Sequence, residues 1–353
     1  MTKGPSLAPA FSFLRACRSE TLTEAPIWIM RQAGRYLPEY RAVREKHSFL
    51  DVCRTPEICA EVTAQPIERF GFDAAIIFQD ILVPLIGMGV PIEFDPGPRL
   101  GLQIQNREDV ARLKWEGAAA GTPHIKKVIR AARERLQGRV PVIGFAGAPF
   151  TMAAYLIDGG GSRDLARTRS FLAHDPEGFA RLLEILSNAT VDYLRAQIEA
   201  GVGAVMLFDT QAGWLPPPEF ARTAVAAADR VIRALPRETP SIYFAPAPSV
   251  GQLEALRPIT ADVVGLDYRV SLAHARAILG NSQAVQGNLD PAVLLGPGEE
   301  IVVQAEAILR ENGGRPGFIF NLGHGIFPDT PVENVKLLVD TVKRYRSPVG
   351  GVG

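Results

Sequence analysis

Short runs of apolar residues recur along the whole chain, and most of them are continuous rather than alternating with polar residues. Continuous runs are typical of strands that are buried on both faces, as in a parallel sheet. The segments between the runs are long enough to hold crossover helices. The pattern therefore predicts eight parallel strands, at residues 27–30, 74–78, 140–145, 204–208, 241–245, 263–266, 284–286 and 318–320.

Helix signals lie between these runs. Residues 55–71 and 175–201 each open on a cap residue followed by proline and acid, and each ends at glycine. This arrangement is typical of helix termini. The capping-box spacing of Thr330 and Glu333 predicts a last helix toward Tyr345.

The repeated alternation of strand and helix, without a linker, predicts an α/β fold. We expect a single-domain (β/α)₈ TIM barrel over residues 11–346, with flexible ends at 1–10 and 347–353. A doubly wound sheet would require a phosphate-binding turn early in the chain. The glycine-rich stretch at residues 159–162 lies mid-chain and does not match such a turn.

The composition of the chain excludes some classes of function. The 353 residues include 38 Lys plus Arg and 38 Asp plus Glu, so the formal net charge is zero. This balance excludes a long-range basic field for nucleic acid or acidic membranes, and it confines anion recognition to local clusters. The three cysteines lack metal-ligand spacing and favour a reduced, cytoplasmic protein. The uncharged stretch at 140–157 contains Gly and Pro and is better interpreted as a buried strand and turn than as a membrane span.

In a barrel of this type, chemistry occurs at the carboxyl ends of the strands. Arg31 and Arg35 follow the first apolar run within a cluster of cations, which favours anion binding because guanidinium groups match carboxylates bidentately. We assign Arg41 and Arg44 to a helix face. Other polar residues at strand ends are Gln32, Asp80, Asp209, Thr210, Asp267, Asn288, Asp290, Asn321 and His324.

Asp80 lies in one of the most apolar neighbourhoods of the chain, between residues 76–79 and 81–85. A carboxylate there has to be paired, hydrogen-bonded or directed into a cleft. His324 lies between Gly323 and Gly325, which allow a ligand or backbone to approach closely. An internal salt bridge for Asp80 and a structural role for His324 are the alternatives.

Six motifs in this sequence resemble the uroporphyrinogen decarboxylase family. The longest are PIWIMRQAGRYLPEYR at residues 26–41 and GFAGAPFT at residues 144–151, followed by GGGS at 159–162. Shorter matches are FQDIL at 78–82, VGLD at 264–267, QGNLDP at 286–291 and NLGHG at 321–325. Long motifs in one order, from about residue 11 to about residue 345, are more specific than any short motif.

The resemblance implies a single-domain barrel that forms a homodimer and requires neither cofactor nor metal. It also implies the reaction, which is decarboxylation of the four acetate side chains of uroporphyrinogen III. The products would be coproporphyrinogen III, whose acetates have become methyl groups, and carbon dioxide. The resemblance thus implies a role in haem biosynthesis.

Matching positions imply which residues form the site. Arg31 and Asp80 would be catalytic, Arg31 and Arg35 would bind substrate carboxylates, and Asp80 would face the pyrrole N–H groups. Thr210 stands where the family usually has Ser, so the hydroxyl is retained, and Phe150 stands where Trp is frequent. The implied substrate-binding set is Arg31, Gln32, Ala33, Gly34, Arg35, Asp80, Tyr155, Thr210 and His324.

Two other functions remain open from the residues. A zinc-dependent, corrinoid-linked methyltransferase would share a related barrel, but it would need thiolate or His ligands at strand ends. All three cysteines precede residue 60, so no such cluster is available late in the chain. A tetrapyrrole carrier without turnover could use the same Arg and Asp residues for binding.

Overall fold

Seven strands form one curved parallel sheet in the computed structural model, which describes residues 11–94, 97–162, 164–280 and 283–347. Their order is β1-β4-β5-β6-β7-β8-β9, so strands adjacent along the ring are connected in chain order. A short antiparallel hairpin, β2–β3, lies outside this sheet. The strands are β1 Ala75–Ile76, β2 Ile92–Phe94, β3 Pro98–Leu100, β4 Val142–Gly147, β5 Ala204–Phe208, β6 Ser241–Phe244, β7 Val263–Gly265, β8 Ala284–Leu289 and β9 Phe318–Leu322.

Residues 27–30 close the ring between its last and first strands. Ile27 forms a parallel bridge with Phe320 of β9. On the other side, the Ile27 carbonyl accepts a hydrogen bond from the backbone N–H of Asp73 at 2.8 Å, just before β1. The Ile27 N–H donates to the Asp73 carboxylate at 2.9 Å. This segment thus takes the place of an eighth strand, although it forms a single strand-like bridge within the described residues.

The prediction of a parallel (β/α)₈ barrel is confirmed. Each of the seven sheet strands β1 and β4–β9 overlaps a predicted apolar run, and every residue of these strands is buried. A strand that is covered by helices outside and by side chains inside has no polar face, which explains the absence of alternation. The hairpin β2–β3 was not predicted, because its three-residue strands leave too little pattern to detect.

Helices cover the outside of the sheet. The α-helices are α1 Ser12–Cys17, α2 Pro38–Arg44, α3 Phe49–Arg54, α4 Pro56–Phe70, α5 Val83–Gly87, α6 Arg107–Arg112, α7 His124–Leu136, α8 Pro149–Asp158, α9 Ala166–His174, α10 Pro176–Ala200, α11 Pro217–Glu219, α12 Ala226–Arg233, α13 Val250–Leu256, α14 Leu272–Leu279, α15 Gly298–Asn312 and α16 Val332–Arg344. A π-helical turn, Phe220–Val225, joins α11 to α12, and 3₁₀ turns occupy Ala212–Trp214 and Pro291–Leu295.

The predicted helix ends are confirmed more often than the predicted caps. The Asp175 side chain accepts the Gly178 N–H at 2.9 Å and begins α10, which ends at Gly201. Helix α4 ends at Gly71 as predicted, but Thr55 makes no side-chain cap. The capping box at Thr330 is wrong, because α16 begins after Pro331 and the Thr330 hydroxyl is buried without a partner among the described residues.

The uncharged stretch at 140–157 forms β4, the turn after it and most of α8, as its Gly and Pro residues indicated. Within the described ranges, no helix combines the length and apolarity needed to cross a bilayer. The flexible ends were predicted at 1–10 and 347–353, and all of these residues except Ser347 lie outside the described residues. Ser347 is described, and its N–H donates to the Thr23 carbonyl at 3.1 Å.

Candidate active site

Asp80 lies in the loop that follows β1, where its carboxylate is half-buried. One carboxylate oxygen accepts the backbone N–H of Leu82 at 2.8 Å. Burial raises the pKa of Asp80 to about 6, although the Leu82 N–H and the Arg31 guanidinium both act to lower that pKa. No cation forms a salt bridge with Asp80 in the part of the chain that the structure describes. The site therefore holds an anion that is accessible yet poorly solvated.

Arg31 lies in a tight turn in which the Gln32 N–H donates to the Ile29 carbonyl at 3.1 Å. Its φ angle is +64°, in the left-handed region that side chains other than glycine rarely adopt. The position corresponds to the third residue of a type II turn, where glycine is preferred. Such backbone strain costs of order 1–3 kcal/mol and is concentrated at functional sites. Glycine would therefore be more stable than arginine at this backbone position, yet the chain has an arginine here, and its guanidinium is exposed.

The two glycines beside His324 are required by close contacts. A Cβ atom at Gly325 would lie 2.5 Å from Cδ of Arg31, and a Cβ atom at Gly323 would lie 2.3 Å from the backbone nitrogen of Tyr268. These approaches bring the loop after β9 against the Arg31 turn on one side and the loop after β7 on the other. The prediction that these glycines permit close approach is confirmed.

His324 itself is half-buried, and its ring meets the ring of Phe244 edge-on at 6.3 Å between centroids. Burial and the positive charge of Arg31 lower the pKa of His324. The imidazole is therefore neutral at pH 7, with one nitrogen able to donate and the other able to accept. Asp267 and Arg269 also influence His324, and they form a bidentate pair at 2.8 and 2.7 Å.

Tyr155 lies on α8 with its side chain half-buried. Burial and the negative charge of Asp80 raise the pKa of Tyr155, so the phenol keeps its proton at neutral pH. A Cβ atom at Gly161 would lie 3.5 Å from the Tyr155 hydroxyl, which places the glycine-rich loop beside this side chain. Thr210 follows β5 and is half-buried. Electrostatic influence thus links Arg31, Asp80, Tyr155 and His324 in one neighbourhood.

The other residues of the Arg31 loop contribute differently. Gln32 is fully buried, and its side-chain amide donates to the Ala74 carbonyl at 3.2 Å, so the side chain anchors the loop to the residue before β1. Ala33 and Gly34 are half-buried, and Arg35 is exposed. Across the described ranges, the backbone N–H groups of Ala33, Gly34 and Arg35 have no protein acceptor. This loop offers an anion both backbone donors and two guanidinium groups.

Two asparagines that were predicted to follow strands lie within them. Asn288 of β8 and Asn321 of β9 are register partners. The Asn288 amide donates to the carbonyls of Asp267 and Val270 at 2.9 and 2.7 Å. The Asn321 side-chain oxygen accepts the Met30 N–H at 3.0 Å. Both residues therefore hold neighbouring loops in place, a role that only tertiary contacts reveal.

A cavity of about 720 Å³ lies away from these residues, between the segment before α6 and helix α9. Its lining includes Gln103, Arg107, Arg167 and His174, and none of the predicted site residues. We place the chemistry at the barrel mouth instead, because the carboxylate with a raised pKa and the strained arginine are there. No group of three His, Cys, Asp or Glu side chains is arranged to hold a metal ion within the described residues.

In comparisons with known proteins, a family model and curated relatives match nearly the whole chain and agree on one family. The model of the family described as "Uroporphyrinogen decarboxylase (URO-D)" matches residues 9–345. The curated uroporphyrinogen decarboxylase of Trichlorobacter lovleyi is 45% identical over 333 residues, which cover 94% of this chain and 98% of the relative. That of Chloroflexus aurantiacus is 45% identical over 342 residues, covering 95% and 96%.

Among solved structures, a methyltransferase from Methanosarcina mazei superposes with a TM-score of 0.81 at 19% identity, covering 93% of this chain and 96% of that one. At this identity the likeness concerns the fold alone. The family model matches residues 9–345, the curated relatives cover nearly the whole chain, and both give the family that the motifs resemble. On this evidence, the chain belongs to the uroporphyrinogen decarboxylase family.

Proposed function

We propose that the barrel mouth decarboxylates the four acetate side chains of uroporphyrinogen III and releases coproporphyrinogen III and carbon dioxide. The observation that carries this assignment is the Asp80 carboxylate, which is half-buried, poorly solvated and within the field of Arg31. A tetrapyrrole with a ring of peripheral carboxylates and a centre of N–H donors is complementary to that arrangement. The family relationship supports the same substrate and reaction.

The electron sink of the reaction is the substrate itself. Addition of a proton to a pyrrole carbon makes the ring cationic. The bond between the acetate methylene and its carboxylate then breaks, and its electron pair moves into the ring as carbon dioxide leaves. A proton then adds to the exocyclic methylene to form the methyl group, and the ring loses its extra proton. Each carboxylate lost therefore consumes one proton, and the step has no need for a cofactor of the electron-sink type.

Asp80 acts where positive charge develops. A fixed carboxylate beside the pyrrole nitrogens stabilises the cationic ring more than it stabilises the neutral ground state. The effect is strengthened because the surroundings of Asp80 solvate it poorly. With a pKa of about 6, the carboxyl is mostly ionised at pH 7. The carboxylate need not move a proton to act in this way.

Arg31 and Arg35 bind the peripheral carboxylates. Guanidinium groups form paired hydrogen bonds with carboxylates, and the unpaired N–H groups of the loop provide further donors. A guanidinium has a pKa above about 12 and is a poor acid, so we assign Arg31 to binding rather than to proton donation. Neutral His324, protonated Tyr155 and Thr210 provide hydrogen-bonding groups along the cleft.

The central prediction concerns Asp80→Asn, assayed by incubation with uroporphyrinogen III and separation of the less carboxylated porphyrinogens. The amide keeps the shape of the side chain but lacks its negative charge. We expect kcat to fall by about a hundred- to a thousandfold, the usual effect of losing one preorganised electrostatic partner. An inactive wild-type protein would contradict the proposed reaction itself.

Asp290→Asn is the matched control. Asp290 is also half-buried at a strand end, and its carboxylate accepts the N–H of Ala292, two residues on, at 2.8 Å. Asp80 makes the same local contact with Leu82, and the positive charge of Arg31 also acts on Asp80. We expect Asp290→Asn to retain kcat within about threefold. Equal losses in the two variants would exclude a special role for the Asp80 charge.

Arg31→Lys tests the guanidinium. Lysine keeps the charge and the same unfavourable φ angle, but it cannot form two parallel hydrogen bonds with a carboxylate. We expect kcat/KM to fall by about ten- to a hundredfold, which corresponds to a charged hydrogen bond of about 1.5–3 kcal/mol. Arg44→Lys on α2 is the control and should leave kcat/KM unchanged. Wild-type kinetics for Arg31→Lys would refute the binding role.

We also propose that the chain is a cytoplasmic homodimer. Each of the segments that follow β5 to β9 exposes a large apolar side chain, namely Trp214, Val250, Tyr268, Leu295 and Phe327, with exposed fractions of 57, 51, 39, 48 and 41%, respectively. An apolar rim of this kind is typical of an interaction surface, and a second copy of the chain would cover it. The cysteines support the location, since all three are buried free thiols.

Sedimentation velocity tests the dimer. We expect a dimer for the wild-type chain and a shift toward monomer for Trp214→Asp, because burying an unpaired carboxylate in an apolar interface is unfavourable. Val303→Asp is the control, since Val303 is similarly exposed, at 55%, but lies on α15 away from the rim. A monomeric wild-type protein, or equal effects of the two substitutions, would contradict the proposed interface.

A further inference from the structure

The carboxylate of Asp209 is an unused titratable group directly beside the predicted site. Asp209 follows β5, immediately before Thr210, and it is fully buried. Among the described residues no Lys, Arg or His forms a salt bridge with it. Its hydrogen-bond partners there are the N–H and hydroxyl of Thr151, at 3.0 and 2.6 Å, and the hydroxyl of Tyr243, at 2.8 Å. Burying an unpaired charge among neutral donors is unfavourable, so a carboxylate retained there is expected to have a specific task.

One task is visible at the start of α8. Thr151 is the third residue of this helix, so its N–H is one of the first-turn donors that lack a partner within the helix. The preceding cap residue, Ala148, has no side chain that could accept it. Asp209 supplies the missing acceptor from the loop that begins after β5, and a negative charge at a helix N-terminus is also favourable for the helix dipole. The carboxylate therefore fixes α8 to the end of β5.

The same contact also fixes the loop after β5. The Thr151 hydroxyl donates to Asp209 and accepts the backbone N–H of Gln211 at 3.1 Å. Thr210 lies between the two tethered residues, so its backbone is held at both sides. Tyr155 lies four residues after Thr151 on the same face of α8. The positions of Thr210 and Tyr155 in the cleft thus both depend on the contact between Asp209 and Thr151.

We propose that Asp209 and Thr151 are positioning residues that set the placement of Tyr155 and Thr210 against the substrate. The inference rests on the proposed decarboxylation, because it concerns the same cleft. Asp209 has no exposed surface and its oxygens are occupied by Thr151 and Tyr243, so it does not touch the substrate. Burial raises the pKa of Asp209 to about 6 against the opposing effect of its hydrogen bonds, which agrees with a carboxylate retained despite poor solvation.

The chain contains a matched pair for the experiment. Thr260 and Asp229 repeat the same contact, with the threonine N–H and hydroxyl both donating to one aspartate oxygen at 2.7 Å. Thr260 precedes β7, at the end of the barrel opposite the mouth. Replacing either threonine by valine removes the same hydroxyl contact at nearly constant volume. Thr260→Val therefore reports the effect of losing this aspartate contact at a place remote from the cleft.

We expect Thr151→Val to lower kcat by at least about tenfold while KM stays within about threefold, because Arg31 and Arg35 still hold the carboxylates but the cleft wall is displaced. Thr151→Ser, which keeps the hydroxyl, should restore kcat to within about threefold of the wild type. Thr260→Val should retain both constants. Thermal unfolding, monitored by circular dichroism, shows whether each variant is folded at the assay temperature, so that only folded variants are compared.

The inference is overturned if folded Thr151→Val has wild-type kcat, if Thr151→Ser fails to restore it, or if Thr260→Val loses as much. Should Thr151→Val not fold, Asp209→Asn provides the second test, since it keeps an acceptor oxygen but removes the charge. We expect a fall in kcat with little change in KM for that variant, and wild-type kcat would overturn the inference. A wild-type protein without turnover would instead contradict the proposed function.

Discussion

The interaction between the Asp80 carboxylate and the field of Arg31 is the constraint on which the rest of the site depends. Burial disfavours the charged form of Asp80, whereas the Leu82 N–H and the Arg31 guanidinium favour it. The balance leaves an anion that is available at neutral pH but lacks most of the solvation that water would provide. A poorly solvated carboxylate interacts strongly with a positive charge, so Asp80 would stabilise a cationic ring that forms beside it.

Several features of the barrel serve to place Arg31 at that position. Its turn has a strained backbone, and the surrounding structure has to enforce it. The Asn321 side chain holds the Met30 N–H, the Gln32 side chain holds the loop to Ala74, and Gly325 leaves room for the arginine side chain itself. The segment that closes the ring of strands is therefore also the segment that presents the guanidinium. Under the proposed function, the segment that closes the fold would also bind the substrate.

Much of this could be predicted from the sequence, because buried parallel strands leave continuous apolar runs and glycines mark close approaches. The seven sheet strands, the ends of α4 and α10, and the need for small residues beside His324 all follow from local pattern. The clustering of Arg31, Asp80, Tyr155 and His324 required the resemblance to a family, since these residues are far apart in the chain. The strain at Arg31 and the roles of Asn288 and Asn321 could not be predicted, because they depend on contacts between distant segments. The capping box at Thr330 failed for the same reason, since the rest of the fold buries that hydroxyl away from the helix N–H groups.

The pH dependence of kcat/KM tests the central claim most directly, because it reports the essential groups of the free enzyme. The pKa of Asp80 is raised from its ordinary value of 3.8 to about 6, so the carboxylate is ionised above that pH and loses its charge below it. We predict that kcat/KM falls about tenfold per pH unit below about pH 6, and that Asp209→Asn keeps this acid limb. A kcat/KM that is constant from about pH 7 down to about pH 5, or an acid limb that disappears in Asp209→Asn, would contradict the account.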